Sequence, residues 1–494
     1  MPRLSIVIGL AGTILLGACS SGSKGGAPAV SPLAAITDLK AHTDTRIKAI
    51  NRVNQAVADG EISQPAAREA LKRAAWSRGS WWKVRIAAIE ALIAQQDQID
   101  DTRNMLRLML PTETQGDVTK FICTYAADHG WTDLTQSIVR HWSRPDKGIP
   151  DAQRPERAAL AKLYPDRSVE ETVFVTFVEL PAGQGKDADR QERIRMDAWG
   201  LLCRIDTAGR TTQLLSGAPN STDPLIATLQ RAARELRCIP DTGDELAWVQ
   251  RLGEAKNAAY WSSASSAVQK LGEEQVKHLR LRHLAPILWA ESVHPEWLSA
   301  SRADLLAQLG KALSGRSHRY RANESSGAVG RGTGETIDHW GEIMSWGDVL
   351  TALIGSEIVL QKELQADLFT EATSDQGDTS TEYGGVIVGS GQAGDAACKA
   401  VLFPPRASER YSDKQFVPSL DMVEAGDTAL FHYHFHVNVW ENGGFAGPSG
   451  GDIDSALQLG RACLVFTGIE KGLLNADYYQ GNGAVIDLGN IKRP

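Results

Sequence analysis

The hydrophobic and polar positions of residues 34–160 repeat with the period of an α-helix. In residues 81–96, WWKVRIAAIEALIAQQ, apolar side chains recur at three- and four-residue spacing and form one stripe, as in a helix buried along one face. The same pattern predicts helices at 38–58, 63–76, 82–96, 101–110, 116–128 and 132–143. Short turns join these helices, so we interpret 34–160 as a helical domain that serves as a scaffold or a binding surface.

The hydrophobic period changes after this domain. Residues 171–180, ETVFVTFVEL, are β-branched and aromatic, and the apolar runs AWGLLCRID and TTQLLSG flank the turn residues DTAGR. The following segment, PLIATLQRAARELRC, returns to helical spacing. We therefore predict a small α+β unit at 161–240.

Helical spacing continues over 241–322, where Ser301 is a predicted N-cap and Gly315 lies near a helix end. The glycine-rich segment 323–336, NESSGAVGRGTGET, is a predicted linker. It does not match a phosphate-binding loop, because Glu335 stands where the lysine of that motif belongs and an acidic side chain repels phosphate. We expect no nucleotide ligand.

The region 337–494 combines a long helical segment with strand patterns. The strand EYGGVIVGS is introduced by Glu382, and the segment GDTALFHYHFHVNVW carries His432, His434 and His436 at alternate positions. Alternation places all three imidazoles on one face of a strand. A solvated strand face is one interpretation of this pattern. Three imidazoles followed by Asp452 favour a metal site instead, because each buried ring nitrogen needs a partner.

These residues resemble the motifs of the JAMM/MPN zinc metallopeptidases. The opening strand of that family, E-x-x-G-x-L-x-G, is similar to Glu382-x-x-Gly385-x-Ile387-x-Gly389. Its metal-binding signature is similar to His434-x-His436 followed by Pro448-Ser449-x-x-Asp452-Ile453. The resemblance covers about the last 125 to 155 residues and implies an α/β domain at 337–494. Residues 84–93, VRIAAIEALI, resemble the second half of a HEAT-type helical repeat.

The JAMM/MPN resemblance implies a role for each motif residue. His434, His436 and Asp452 would bind zinc and leave its fourth position open for water, as in catalytic zinc sites. Glu382 would be the general base, and Ser449 would donate a hydrogen bond to the developing oxyanion. The implied reaction is hydrolysis of an amide or isopeptide bond.

The motifs depart from the family pattern in two places. Val437 replaces the proline that follows the second histidine, and thirteen positions rather than eight separate His436 from Ser449. A register in which His432 and His434 are the ligands lengthens this gap further, so we assign His432 to the second shell or the core. A cupin site is a second interpretation, since Gly426-x5-His432-x-His434 matches the start of its first motif. No histidine follows His436, however, and a cupin needs a later one.

The amino terminus has the order of a bacterial export signal. Arg3 precedes an apolar run from Leu4 to Ala18, and Cys19 opens a Ser- and Gly-rich segment. The stretch LLGAC resembles the lipobox of bacterial lipoproteins, which implies cleavage before Cys19 and lipidation of its thiol by acyl chains such as palmitate. In that family a serine directly after the cysteine, as Ser20 is here, favours the outer membrane over the inner one. An uncleaved anchor or a plain secretory signal is the alternative.

Composition narrows the set of partners. The 494 residues carry a net charge of −8, whereas a protein that binds nucleic acid usually presents clustered basic residues. We therefore expect no nucleic-acid partner. Six widely spaced cysteines without a C-x-x-C pair predict no disulfide scaffold. We expect Trp76, Trp81 and Trp82 to pack between helices rather than to form a carbohydrate platform.

The predicted fold is an α+β multidomain chain. Its predicted segments are a signal peptide at 1–18, a flexible tether at 19–33, a HEAT-like helical domain at 34–160, a small α+β unit at 161–240, a helical region at 241–322, a glycine-rich linker at 323–336 and a JAMM/MPN-like domain at 337–494. The functional hypothesis is a membrane-anchored envelope lipoprotein, facing the periplasm or the exterior, that hydrolyses a peptide or protein substrate of the envelope with zinc. The alternative is a non-catalytic scaffold or binding lipoprotein that retains a degenerate JAMM-like fold.

Overall fold

The structure is a computed structural model that describes residues 32–146, 148–179, 188–207, 209–217, 221–319, 334–390 and 394–494. The predicted signal peptide, Cys19, most of the predicted tether and residues 323–333 of the predicted linker lie outside the described residues. The chain divides into two compact units, Met1–Met109 with Glu113–Phe121, and Leu110–Thr112 with Ile122–Pro494. This division lies near residues 110–122, whereas the sequence suggested boundaries at 160, 240, 322 and 336.

The first unit is helical, as its hydrophobic periodicity predicts. Its helices are α1 (Pro32–Thr37), α2 (Thr43–Ala58), α3 (Gln64–Trp76), α4 (Trp82–Ile93), α5 (Ile99–Met109) and the start of α6 (Gly116–Asp128). A buried ion pair holds this unit together: the Arg85 guanidinium binds the Glu113 carboxylate at 2.8 and 2.5 Å, and its Nε donates to the carbonyl oxygen of Ala75. The pair satisfies both buried charges, which would otherwise be costly.

The described part of the second unit begins with further helices. They are α7 (Thr135–Trp142), α8 (Pro155–Leu163), α9 (Val169–Glu179), α10 (Ala188–Ile205), α11 (Arg210–Gly217), α12 (Pro224–Glu235), α13 (Glu245–Leu252), α14 (Ala258–Gln269), α15 (Glu273–Val276), α16 (Leu284–Val293) and α17 (Arg302–Leu313). No helix among the described residues is long and apolar enough to span a bilayer.

The predicted α+β unit at 161–240 is wrong in its strands, because the segments predicted as β-structure are α9, α10 and α11. Phe174 and Phe177 of α9 are buried, and the Phe177 ring contacts the Trp199 ring of α10 at 5.0 Å between centroids. The Thr176 hydroxyl donates to the carbonyl oxygen of Thr172 one turn earlier. Packing on a neighbouring helix therefore outweighs the β-propensity of this β-branched, aromatic run.

The carboxy-terminal region adds a six-stranded mixed sheet, which agrees with the predicted α+β class. Its helices are α18 (Ile337–Trp340), α19 (Trp346–Ile358), α20 (Lys362–Gln376), α21 (Leu420–Ala425) and α22 (Gly450–Leu459). Its strands are β1 (Gly384–Gly389), β2 (Cys398–Leu402), β3 (Phe431–His436), β4 (Ala462–Glu470), β5 (Leu473–Gln480) and β6 (Val485–Lys492). The strand order is β2-β1-β3-β4-β5-β6, in which only β3 and β4 are parallel neighbours.

Helices cover both faces of this sheet. On one face, α19 and α20 pack against aromatic side chains: Gly355 of α19 approaches the Phe431 ring, and the Tyr433 hydroxyl donates to Glu371 of α20. On the other face, Ile453 and Ala456 of α22 join a buried cluster with Cys463, Val465, Tyr479 and Val485. The open, helix-covered sheet rules out the cupin interpretation, since cupins are double-sheet jelly rolls.

Asp427 connects the helical region to the sheet within the second unit. Its carboxylate accepts hydrogen bonds from Arg251 of α13 at 2.5 and 2.9 Å and from Arg461 at 2.6 Å, and its carbonyl oxygen accepts the Trp248 indole N–H. The Arg461 guanidinium also lies over the Trp248 ring, 3.5 Å from the centroid. One carboxylate thus compensates two cations in a largely buried network.

Two of the tryptophans expected to pack between helices are instead exposed. Trp76 is 43% exposed and Trp81 is 57% exposed, at the end of α3 and just before α4. The expectation of packing is therefore wrong for these two residues.

We predict that Asp427→Ala strongly destabilises the protein, because Arg251 and Arg461 lose their shared carboxylate. Removing one partner of a buried ion pair costs about 3–5 kcal/mol. The exposed pair between Asp421 and Arg406 offers a control, and Asp421→Ala should cost less than about 1 kcal/mol. Urea unfolding of both variants measures the difference, and equal losses would show that the Asp427 network is not stabilising.

Candidate metal centre

The candidate site begins at the carboxyl end of β3. Because side chains alternate between the faces of a strand, His434 and His436 point to the face that α22 covers. Their Nε2 atoms lie 3.2 Å apart, and the side chains are only 3% and 11% exposed. Two imidazole nitrogens therefore converge on one sheltered point.

Asp452 brings a carboxylate to the same point from the first turn of α22. Ser449 is the N-cap of this helix: its hydroxyl oxygen accepts the Asp452 N–H, and its own N–H donates to Asp452 Oδ2 at 2.6 Å. This capping box fixes the carboxylate, whose oxygens lie 3.4 Å from His434 Nε2 and 3.5 Å from His436 Nε2. Burial by itself raises the pKa of Asp452, but the hydrogen bonds and charges of the two histidines outweigh it and hold this pKa well below its ordinary value.

Glu382 joins the cluster from the neighbouring strand. It lies two residues before Gly384, which pairs with His434 across β1 and β3, so alternation turns Glu382 to the histidine face. Its carboxylate and the ring nitrogens of His434 and His436 all lie within 4.8 Å of one another. Burial raises the pKa of Glu382 to about 7, helped by the negative charges of Asp452 and Asp413 and opposed by His436.

Phe416 contacts both His434 and Glu382. Its ring stacks on the His434 imidazole with an interplanar angle of 8°, and its backbone N–H donates to the Glu382 carboxylate. The ring fits only because Gly384 has no side chain, since a Cβ there would lie 2.5 Å from the Phe416 ring. Phe416 could not be predicted from the sequence, because it lies outside both motifs.

Tyr479 of β5 contacts the far side of His434. The tyrosine hydroxyl lies 3.4 Å from His434 Nδ1 and hydrogen-bonds to the Cys463 side chain. A partner at Nδ1 fixes the ring so that Nε2 faces His436 and Asp452. Sequence reasoning missed Tyr479 as well, because only the pairing of β3, β4 and β5 brings it near His434.

Ser449 lies at the edge of the cluster. Its hydroxyl oxygen is used as the helix cap, which leaves the hydroxyl proton to donate to an acceptor in front of α22. The structure thus brings five predicted site residues into one region: Glu382, His434, His436, Ser449 and Asp452.

His432 is not part of this cluster. It is 6% exposed, and its Nε2 has no hydrogen-bond partner among the described residues. The ring is packed against Gly426, where a Cβ would come within 1.8 Å of Nε2. Burial, with the nearby charge of Arg461, lowers the pKa of His432 well below its ordinary value. The structure therefore holds His432 as a neutral core side chain.

The insert between His436 and Ser449 is tied back to the sheet. The Asn442 side-chain amide donates to the carbonyl oxygen of His436, and the Asn442 N–H donates to that of Gly468 in β4. The loop therefore leaves the end of β3 in place, and its exposed Phe445 extends into solvent. The longer spacing does not prevent Asp452 from reaching the histidines.

No family model matches this chain, and neither the curated proteins nor the solved structures include a significant match.

We predict that Glu382→Gln stabilises the metal-free protein in a pH-dependent way. The folded carboxyl has a pKa of about 7 and the unfolded one about 4.5, so the folded state binds more protons between these values and its stability falls as pH rises through them. The substitution removes this loss and should add up to about 3 kcal/mol above pH 7 and little near pH 4.

Urea unfolding of chelator-treated proteins at both pH values measures this effect. Glu441→Gln, an exposed carboxylate in the insert, is the control and should change stability at neither pH. An equal gain for Glu382→Gln at both pH values would contradict a buried, destabilising carboxylate.

Proposed function

We propose that this chain is a zinc-dependent hydrolase of amide or isopeptide bonds, with a JAMM/MPN-like domain at 337–494. The observation that carries the proposal is the spacing of three donors. His434 Nε2 lies 3.2 Å from His436 Nε2 and 3.4 Å from Asp452 Oδ1, and His436 Nε2 lies 3.5 Å from Asp452 Oδ2. Tetrahedral zinc with bonds of about 2.0–2.1 Å requires ligand atoms about 3.3–3.4 Å apart. This spacing supports the proposal that the three groups share one zinc ion, with one of the two Asp452 oxygens as the ligand atom.

The three donors would hold zinc through two imidazoles and one carboxylate, the ligand set of catalytic rather than structural sites. When bound, the ion supplies Lewis acidity, which favours a hydroxide nucleophile at neutral pH and polarises a carbonyl group. The low pKa of Asp452 keeps its carboxylate ionised, as a metal ligand must be.

Glu382 is the proposed general base. Burial raises the pKa of Glu382 to about 7 in the metal-free protein, and a raised pKa suits a carboxyl that must both accept and return a proton. It would accept a proton from the attacking water and pass it to the amine that leaves. Ser449, with its hydroxyl proton not used in the capping box, would stabilise the oxyanion on the attacked carbonyl.

The JAMM/MPN-like assignment is supported by the order and position of these groups. Glu382 introduces a strand after a helix, the histidine pair ends the neighbouring strand, and Ser449 and Asp452 open the following helix. The first motif also requires glycine at position 385 for a steric reason. A Cβ at Gly385 would lie 2.1 Å from the Val401 carbonyl oxygen. Val437 and the long insert remain departures from the family pattern.

The location of the enzyme is part of the proposal. Lipidation at Cys19 would anchor the chain in the bacterial envelope, on the outer membrane. Zinc would then be acquired outside the cytoplasm, and the substrate would be a peptide or protein of the envelope or the exterior.

Three variants test the metal centre. We expect the purified protein to bind zinc stoichiometrically, Asp452→Ala to lose it, and Glu382→Gln to keep it while losing at least about 10²-fold in activity, as for removal of a general base. Asp454→Ala, an exposed aspartate on the same helix, is the matched control and should keep both properties. Metal content is measured by mass spectrometry, and activity with quenched fluorogenic peptides that contain α-peptide or ε-lysyl isopeptide bonds.

Absence of stoichiometric zinc from the wild-type protein would refute the enzyme proposal. The non-catalytic binding lipoprotein would be favoured instead if the wild-type protein binds zinc but turns over none of the probes, and if Glu382→Gln behaves in the same way.

Tyr479→Phe should weaken zinc binding by about 10-fold or more, because His434 loses the hydroxyl that fixes its ring. Tyr478→Phe removes a buried hydroxyl from the opposite face of the same strand and serves as its control, with zinc affinity unchanged. Competition with a fluorescent chelator measures both affinities. Equal affinities in the two variants would remove Tyr479 from the metal site.

A further inference from the structure

Two exposed indoles flank a single turn in the first unit. α3 ends at Trp76, and Trp81 directly precedes α4. The Ser80 N–H donates to the carbonyl oxygen of Ser77 at 3.0 Å, which closes the turn between them. Both large side chains therefore lie at the same end of the helix pair α3 and α4, where they are about half exposed.

A buried arginine brings the start of the described chain to this turn. The Arg46 guanidinium donates to the Ile36 carbonyl oxygen at 3.1 and 2.9 Å and to the Ser80 hydroxyl at 3.0 Å. Leu39, which is 61% exposed, consequently lies beside Gly79, with its Cδ1 4.0 Å from the position a Cβ would occupy. Leu39 thus adds an exposed aliphatic side chain at the turn between the two indoles.

The apolar surface continues into a cavity of about 550 Å³ next to Trp76. Met105 and Leu108 line this cavity with Trp76, and Leu108 is 46% exposed. Two ion pairs, Arg73 with Glu69 and Lys72 with Asp101, form its polar part together with Asn104. We call Leu39, Trp76, Trp81 and Leu108 the tryptophan surface.

Basic residues are concentrated along the sequence that forms the tryptophan surface. No acidic residue occurs between Glu69 and Glu90, whereas five basic residues do: Lys72, Arg73, Arg78, Lys83 and Arg85. Arg85 is buried in its ion pair, but Arg78 and Lys83 are exposed beside the indoles, and the Lys83 ammonium lies 5.4 Å from the Trp82 ring centroid. Lys72 and Arg73 are paired with Asp101 and Glu69, so Arg78 and Lys83 are the two basic side chains that this chain of net charge −8 presents beside the indoles.

The predicted lipid-attachment site is close to this surface along the chain. Cys19 precedes Pro32, the first residue of α1, by thirteen positions, and thirteen residues span at most about 45 Å. Leu39 follows α1 by two residues. An acyl chain on Cys19 would therefore keep the tryptophan surface within reach of the bilayer.

We propose that the tryptophan surface docks onto an anionic lipid bilayer. Indole rings favour the headgroup level of a membrane, and basic side chains near them are attracted to anionic lipids. A carbohydrate is the competing occupant, because Asp101 and Asn104 of the cavity are polar partners for hydroxyl groups, but the exposed aliphatic side chains of Leu39 and Leu108 favour lipid. The proposal uses the predicted anchor for proximity, and it does not rest on the proposed hydrolase activity.

Vesicle co-sedimentation tests the proposal with a chain that begins at residue 19 and carries Cys19→Ser, so that it has no lipid and retains every described residue. We expect binding to vesicles of phosphatidylcholine mixed with phosphatidylglycerol, weaker binding to phosphatidylcholine alone, and a decrease with added salt. The double variant Trp76→Ser/Trp81→Ser should bind about tenfold more weakly or worse. Lys83→Gln should lower affinity about fivefold.

Tyr411→Ser/Leu420→Ser is the matched control, because it removes two side chains of the second unit that are 66% and 64% exposed. It should leave vesicle binding unchanged, and circular dichroism with thermal unfolding verifies that all variants are folded. The proposal is overturned if the parent chain binds neither kind of vesicle, or if the tryptophan variant binds as well as the control. Binding to purified peptidoglycan strands but not to vesicles, lost in the tryptophan variant, would identify a carbohydrate surface instead.

Discussion

The parallel pairing of β3 and β4 is the constraint on which the candidate site depends. Parallel strands cannot be joined by a tight hairpin, so the chain must cross from the end of β3 to the start of β4, and α22 makes that crossing. A crossover helix packs on one face of the sheet, and its first turn lies near the carboxyl end of the strand it follows. Asp452 therefore meets His434 and His436 because of topology, whatever the length of the connecting loop.

The helical part of the fold could be predicted where one face of a helix is buried and the other is exposed. The helices near 63–76 and 116–128 follow from that contrast and are within one residue of α3 and α6. The prediction failed at α9, where Val173, Phe174 and Phe177 are buried by neighbouring helices. A helix that is apolar on most sides has no clear period, so residue type alone suggested a strand.

The residues of the candidate site also differ in whether the sequence could predict them. Glu382, His434, His436 and Asp452 could be found because each belongs to a short motif with fixed spacing. Phe416 and Tyr479 could not, since their contacts with His434 arise from pairing between segments that are distant along the chain. The exposure of Trp76 also depends on tertiary structure, because Arg46 and the turn at Ser80 decide which side chains are left uncovered.

The capping box at the start of α22 restricts which substitutions evolution can accept at Asp452. The Asp452 carboxylate accepts the Ser449 N–H and also faces two imidazoles. A substitution of Asp452 therefore changes the start of α22 and the charge of the cluster together. Asn preserves the cap and removes the charge, whereas Glu preserves the charge on a longer side chain. A lineage that loses the proposed metal site would therefore keep α22 most easily through Asn, and position 452 should change more slowly than the exposed Asp454.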